Sequence, residues 1–586
     1  MEFLSSRRLT GPNLLWDQQG IVVDVAFGKF ANGELMGPSA AGAEAAIDAW
    51  QEQARRVLAA LGWDGEKLIW RVHPSGLSLA FSAPIDALYA GIDVGEWIWN
   101  STTEVLAGRE PSNLQSDDFT KLRLAIAEEQ NPMLAPLHDA ARQRGLNFCG
   151  DDEWTTIGMG RRSQTWDTPK LPTVGEVAWD RLHDIPSVMV TGTNGKSTTV
   201  RALFEMVKAA GLVPGASSTD WIQVGEDTLD KDDWSGPGGA RAVLKDPRVD
   251  VAILETARGG MLRRGLGLPR VDVAVITNVA EDHLGEMGVH DLPALTEVKF
   301  IVERAGDSLV LNADNPEVRR RGQLCTKPVL WYTLNADDPL IQTHLAAGGD
   351  AIVLQGTSVV HHCGANIPTE DESATFIADV AEIPMTLNGA VRYNIGNAMA
   401  AVGAAMKMAL PLAAIQQGLQ NFSSDSESNP GRLNVFDLNG ITAMVDFAHN
   451  PHGMQALIDA ASAMPHKRLL VLLGQAGDRD DHAIQELVRI TAAAKPDRIV
   501  VKELTKYLRG REKGAVSGLI QSSLIKHGYP EAQIEYVEHE IDAVRHALKW
   551  AKQGDLLLLI SHSQRESVLK LLTQLQDSSW SEGKKF

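Results

Sequence analysis

The chain has 586 residues, an apolar fraction of 44% and a formal net charge of −20, which suits a soluble protein of three or four domains. Acidity on this scale argues against nucleic acid as a partner, because phosphate binding needs clustered positive charge. No stretch approaches the roughly 20 apolar residues that cross a bilayer, so no membrane is expected.

Cys149, Cys325 and Cys363 are widely spaced and odd in number. That pattern favours a reducing cytoplasm and argues against a disulfide frame or a zinc site built from cysteines. No apolar core follows Arg7-Arg8, so no secretory signal is expected at the N-terminus.

Residues 1–165 carry no nucleotide motif and read as a mixed α/β domain. A strand over Gly20–Ala26 precedes a helix from Ala41 to Leu61, and a second helix is expected over Thr120–Arg144. Gly158-Met159-Gly160 reads as a turn, and Pro169, Pro172 and Pro186 mark a linker. From about 187 to 428, buried-type strands at 249–254, 271–276 and 308–311 alternate with helices, the pattern of a helix-covered parallel sheet. The polar run from Ser423 to Gly431 reads as a hinge. A third α/β unit has strands near 442–446, 469–473, 498–502 and 555–560. The expected domains are therefore 1–165, 166–428 and 429–586, and no internal repeat is visible.

The most informative stretch is Val188-Met-Val-Thr-Gly-Thr-Asn-Gly-Lys-Ser-Thr-Thr199. A β-branched run ends in a glycine turn, and a helix then buries Val200, Leu203, Phe204 and Val207 at one-face spacing. Gly192, Thr193, Asn194 and Gly195 bring backbone N–H groups to an anion at a helix N-terminus, where the dipole is positive. Lys196 can reach terminal phosphates, and Ser197, beside Thr198, can ligate Mg²⁺. The usual first glycine of a P-loop is replaced by Val190, so the bland alternative is a plain strand–turn–helix crossover.

Two later strands run into Glu255 and into Asn278 followed by Glu281-Asp282-His283. In a parallel sheet both ends share the edge of the phosphate loop, where Glu255 and His283 could meet nucleotide-bound metal. Their ordinary readings are a helix-capping or salt-bridged glutamate and a surface histidine.

Gly192-Thr-Asn-Gly-Lys-Ser, Glu255, Asn278, Asp282-His283, Leu311-Asn-Ala-Asp314 and Asn394–Asn397 resemble the central domain of the Mur ligase superfamily. Pro430-Gly-Arg432, Val445-Asp-Phe-Ala-His-Asn-Pro451 and Gly474-Gln-Ala-Gly-Asp-Arg-Asp480 extend the likeness into its C-terminal domain. Within it, Leu254-Glu-Thr-Ala-Arg-Gly-Gly260, Ala280-Glu-Asp-His-Leu-Gly285 and Asn429-Pro-Gly-Arg432 are most similar to the Mur-ligase-like half of cyanophycin synthetase. Arg8–Asn13 and Gly158–Arg162 look like parts of the same family's N-terminal region. No room exists between 165 and 187 for that family's ATP-grasp module, so synthesis of a whole polymer by this chain is not expected.

The resemblance implies a central P-loop parallel-sheet domain and a Rossmann-like C-terminal domain. It implies an enzyme that uses ATP and Mg²⁺ to activate a carboxylate as an acyl phosphate, then condenses it with an amino-acid amine. Ser197 and Glu255 would hold one Mg²⁺, and His283 would help with a second. Lys299 matches a lysine that is carbamylated in many relatives. Asn394, Asn397 and Arg432 would hold nucleotide at the domain junction, with Asp446 and His449 closing over it; helix capping is the ordinary reading of the two asparagines. At the donor edge, Arg509 or Arg511 could pair with an α-carboxylate and Glu503 with a cationic side chain.

The expected partners are an amino acid donor and a peptide or amino-acid-polymer acceptor. Dimerisation through the N-terminal domain is a guess. Competing readings are a folylpolyglutamate-synthetase-like glutamate ligase, and an accessory protein that binds polymer beside a separate synthetase. A GTPase switch is disfavoured by the lack of an Asn-Lys-x-Asp signature.

Overall fold

The computed structural model describes residues 1–28, 40–364 and 374–585. The strand Ser187–Thr191, expected at the phosphate loop, is buried along its whole length and lies inside an eleven-stranded sheet. It pairs in parallel with Val251–Glu255 on one side and Val271–Ile276 on the other. Parallel pairing continues through Gly306–Asn312, Val329–Thr333 and Asp350–Gln355. Both ends of the sheet turn antiparallel: Ile222–Val224 and Asp227–Asp230 close one side, Ser358–His362 and Ala374–Asp379 the other.

Chain order reverses around Ser187–Thr191, because the chain first builds outward to one flank and then crosses to Val271–Ile276. Such a reversal opens a crevice beyond the C-terminal strand ends. Two apolar layers cover the sheet. Val188 and Val190 pack with the helices Lys196–Ala209, Arg392–Lys407 and Leu412–Asn421; Met189 and Leu254 pack on the opposite face with Met261, Leu295 and Val318. Burial on both faces explains why these strands read as continuous apolar runs.

The C-terminal sheet has the order Asn434–Asp437, Thr442–Asp446, Leu556–Ile560, Leu469–Leu473, Arg498–Val501, Ile534–Tyr536. It is parallel except for the first pair. The N-terminal region contributes an antiparallel sheet of Glu2–Leu9, Gly20–Ala26, Gly76–Phe81 and Leu68–His73, with Ala40–Ala60 and Ala90–Leu106 among its helices.

Two local expectations are corrected. The single helix over Thr120–Arg144 is two, Asp117–Glu129 and Leu134–Gln143. Pro132 lies between them, where a helix would lose a backbone donor and clash with its own preceding turn. The proline-marked linker is also a packed segment. Strand Gln164–Asp167 joins a small sheet, and Val177 and Leu182 bury against Leu137 and Ile157.

Candidate active site

The phosphate loop is held from beneath by the neighbouring strand end. Thr193 N–H donates to Asn278 O (2.8 Å), and Asn194 N–H to Asn278 Oδ1 (3.0 Å). In return Asn278 Nδ2 and Thr277 Oγ1 donate to Asn194 O at 3.0 and 2.6 Å. These bonds shape the loop without using its remaining amides. Gly195 has φ +87° at the head of the helix Lys196–Ala209, a conformation that favours glycine. A Cβ there would lie 2.2 Å from Asn397 Oδ1. The helix thus starts at Lys196.

Lys196 Nζ donates to Thr193 O (3.0 Å), folded over the loop. Lys299, the last residue of the helix Leu292–Lys299, donates from Nζ to Gly192 O (2.8 Å). Burial holds the Lys299 amine well below its ordinary range, and Lys196 adds to the effect. Glu255 is 1% exposed at its strand end and accepts from Thr219 Oγ1 (2.6 Å) and N–H (3.3 Å). It has no ion pair among the described residues. A buried carboxylate without a cationic partner is costly, so this position suits a bound cation.

His283 lies on the cleft wall with φ +51°. Desolvation lowers its imidazole below the ordinary histidine value, so the neutral ring is available at neutral pH. Arg258 braces it: Nη1 donates to His283 O and Nη2 to Glu286 Oε2 (2.7 Å). The N-terminal region supports both segments. Arg7 Nε donates to Leu262 O (3.0 Å) in the helix that starts at Arg258, and Arg71 Nη2 to Gly288 O (2.7 Å) beyond His283.

Asn394 and Asn397 do not cap their helix, which starts from Val391 without a side-chain cap. Asn394 Nδ2 donates to Met385 O (2.8 Å) and Asn397 Nδ2 to Asn394 Oδ1 (3.0 Å), which fixes Asn397 against Gly195.

From the C-terminal sheet, Asp446 accepts from Leu433 N–H (2.8 Å), and burial raises its carboxyl although Arg432 opposes the shift. The Arg432 guanidinium stacks 4.9 Å from the Phe447 ring centroid. His449 Nε2 lies 3.9 Å from Asp282 Oδ2, and Arg479 Nη1 donates to Asp282 Oδ1 (2.6 Å). Asn194 and Asn450 exchange side-chain hydrogen bonds of 3.2 and 3.1 Å. The two sheets therefore meet across the phosphate loop. They enclose a cleft of about 1280 Å³ lined by Lys196, Ser197, Glu255, His283, Lys299, Asn394, Asn397, Arg432, Asp446 and His449.

The donor-side residues divide. Arg509 lines the cleft, with its guanidinium 5.7 Å from the Tyr507 ring centroid. Arg511 is engaged elsewhere, donating to Gly477 O (2.8 Å) and Asp481 Oδ1 (2.6 Å). Glu503 is buried and accepts from Ser517 Oγ (2.7 Å) and Gly514 N–H (3.1 Å), anchoring the helix Ala515–Lys526. Neither lines the cleft. Arg258, Arg392 and Arg479, not singled out in the sequence, do line it. Arg258 and Arg479 stood inside the quoted glycine-rich motifs, which was their available signal.

The seam at Ser423–Gly431 is tied to the phosphate-loop helix. Arg201 Nη1 donates to Ser428 O (2.6 Å), and Asn429 Nδ2 to Thr198 Oγ1 (3.2 Å). Its polar residues make internal bonds rather than simply facing water.

The Mur ligase middle domain matches residues 190–405, and the glutamate ligase domain of Mur ligases matches 431–562. Cyanophycin synthetase of Synechocystis sp. is 36% identical over 387 residues, covering 66% of this chain and 43% of that protein. The chain therefore spans less than half the length of that relative. A UDP-N-acetylmuramoyl-L-alanyl-D-glutamate–2,6-diaminopimelate ligase of Syntrophomonas wolfei is 26% identical, covering 64% of this chain and 72% of that protein. A solved folylpolyglutamate synthase/dihydrofolate synthase of Yersinia pestis, complexed with AMPPNP and a Mn ion, superposes with a TM-score of 0.49 at 21% identity, covering 67% of this chain and 88% of that one. The chain belongs to the Mur ligase superfamily, and from the phosphate loop onward it is similar to the Mur-ligase half of cyanophycin synthetase.

Proposed function

We propose that this protein is an ATP-dependent, ADP-forming amide ligase that joins an amino acid to a carboxylate of a peptide or amino-acid-polymer acceptor. The observation that carries the reading is the shared cleft: phosphate-loop groups and C-terminal-domain groups line one space of about 1280 Å³. In this reading 1–165 forms a bracing domain, while 166–428 and 429–586 form the two halves of the ligase.

A carboxylate resists amine attack because its oxyanion leaves poorly. Its oxygen attacks the γ-phosphorus of ATP, ADP departs, and an acyl phosphate results. A neutral amine then attacks the acyl carbon, phosphate leaves, and nitrogen gives up a proton. Phosphoryl transfer depends on positioning and charge neutralisation. Lys196 and the loop amides meet the phosphates, and Asn397 holds the loop in shape. Ser197, Glu255 and His283 would hold Mg²⁺, a set dominated by hard oxygen donors that suits it, and when bound it neutralises phosphate charge. Contacts across the seam exclude water that would hydrolyse the intermediate. Arg509, one of several arginines that line the cleft, would meet the donor's α-carboxylate.

Similarity to cyanophycin synthetase supports an amino-acid-polymer acceptor over a folate. The test is phosphate release with the twenty amino acids screened against short aspartate- and glutamate-containing peptides. Acceptor-dependent ADP formation, a product heavier by one amino acid less water, and loss of both in Lys196→Ala are expected. Tight peptide binding without turnover would support the accessory reading instead.

A further inference from the structure

We propose that Asp350, His361 and Cys363 form a binding site for a zinc-class cation on the outer edge of the central sheet, separate from the cleft. One carboxylate oxygen, one ring nitrogen and the Cys363 sulfur lie within 4.8 Å of one another. Cys363 Sγ is 3.8 Å from His361 Nδ1 and 4.0 Å from Nε2, so a small ring movement offers either nitrogen. Bond lengths of about 2.3 Å to sulfur and 2.0 Å to nitrogen, at a tetrahedral angle, require a similar separation.

The backbone brings the three together. Asp350 opens the strand Asp350–Gln355, and the antiparallel return Ser358–His362 places His361 opposite Ile352 and His362 opposite Ala351. Cys363 follows immediately. His361 is 7% exposed although it sits near a sheet edge. That imidazole lies beside the Cys363 sulfur, with the Asp350 carboxylate within reach of both.

The donor set selects the ion. Thiolate and imidazole disfavour Mg²⁺ and Ca²⁺ and suit Zn²⁺, with water completing four ligands. Lys407 Nζ donates to Asp350 Oδ2 (2.9 Å), which orients the carboxylate and leaves Oδ1 for the ion. A cysteine thiol is protonated near neutral pH, so binding displaces one proton: the S–H bond breaks, a sulfur–metal bond forms, and the proton goes to solvent.

Topology makes the site structural. Asp350–Gln355 runs parallel to Val329–Thr333, so Asp350 lies at the edge opposite the C-terminal strand ends that face the cleft. The helix Arg392–Lys407 reports the same separation. Its first turn carries Asn394 in the cleft, and its last residue, Lys407, touches Asp350 about 20 Å away along the helix.

The experiment is a Co²⁺ titration of the purified full-length chain, followed by displacement with Zn²⁺. A near-ultraviolet thiolate-to-cobalt charge-transfer band at one equivalent, abolished by Zn²⁺, is expected. Cys363→Ser and His361→Ala should lose the band while retaining wild-type circular dichroism. Lys196→Ala should keep it, because the cleft offers Co²⁺ no thiol. No band in the wild type, or a band that survives Cys363→Ser, would overturn the proposal; survival would point to Cys149 or Cys325, the other free cysteines. A misfolded Cys363→Ser is covered by the wild type itself, whose unfolding midpoint must rise with added Zn²⁺ if the site binds.

Discussion

Lys299 Nζ donates to Gly192 O at 2.8 Å, so a buried amine supports the first glycine of the phosphate loop. Its ammonium is disfavoured by burial and by Lys196. In the window between the lowered folded value and about 10.4, the unfolded chain binds more protons at this position than the native one. Stability contributed here therefore rises with pH across that window. Lys299→Met should flatten that part of the pH dependence, and urea unfolding at several pH values measures it. Near neutral pH the variant should lose little stability, since it removes a buried amine whose charged form is disfavoured. Phosphate release should nevertheless fall about 100-fold or more, the scale for losing a preorganised charge-stabilising group. If Lys299 is carbamylated, added bicarbonate should raise wild-type activity and leave Lys299→Met unchanged.

Asp282 joins the central and C-terminal domains through Arg479 at 2.6 Å and His449 at 3.9 Å. Burial alone would raise its carboxyl, but His449, Arg479 and His283 outweigh it and hold it far below the ordinary range. A depressed carboxylate contributes stability above its unfolded value near 3.9, lost only as pH falls toward the folded value. Asp282→Asn should cost about 1–3 kcal/mol at pH 7, less than a fully buried pair because water reaches the cleft. The loss should shrink below about pH 4, where the unfolded chain protonates this carboxyl but the native one does not. Unchanged stability at pH 7 would show that the contact carries no weight.

Gly195→Ala tests the fit of the loop to the helix Arg392–Lys407. The added Cβ would meet Asn397 Oδ1 at 2.2 Å in a left-handed backbone position. Expected are about 1–3 kcal/mol of destabilisation and at least about tenfold weaker binding of a fluorescent ATP analogue, since 1.4 kcal/mol is tenfold in a binding constant. Asn397→Ala in the same chain should relieve the clash but not the backbone strain, giving partial recovery. Full recovery would assign the whole effect to Asn397.

What the sequence made legible was local. A glycine loop between a buried strand and a one-face helix is written in consecutive residues, and Glu255 follows from its place at a strand end. Contacts between distant segments were not written that way. Asp282 and Arg479 stand 197 positions apart and meet only because two sheets share a cleft. Glu503 illustrates the opposite failure: its charge beside a strand end resembled a ligand, but the amide of Gly514 and the hydroxyl of Ser517 take it up. The antiparallel strands that extend the central sheet escaped because short apolar runs such as Val359-Val360 do not state their direction. Pro132 is a helix break in the sequence, but apolar spacing continues on both sides of it.

In the proposed reading Arg509 is the donor-side cation, and its test separates binding from chemistry. It lines the cleft near Tyr507 with φ +49°, while Arg511 is committed to Gly477 and Asp481. A charged hydrogen bond to the donor's α-carboxylate is worth about 1.5–3 kcal/mol, or roughly 10- to 150-fold. Because that carboxylate undergoes no bond change in the reaction, the contact should be about equally strong in ground and transition states. Arg509→Ala should therefore raise the donor KM with little change in kcat. Arg509→Lys should recover part of the loss, because a point charge replaces a two-pronged one. Arg511→Ala should instead lower the unfolding midpoint without a selective effect on donor KM. A fall in kcat at unchanged KM in Arg509→Ala would move this arginine from donor binding to the reacting centre.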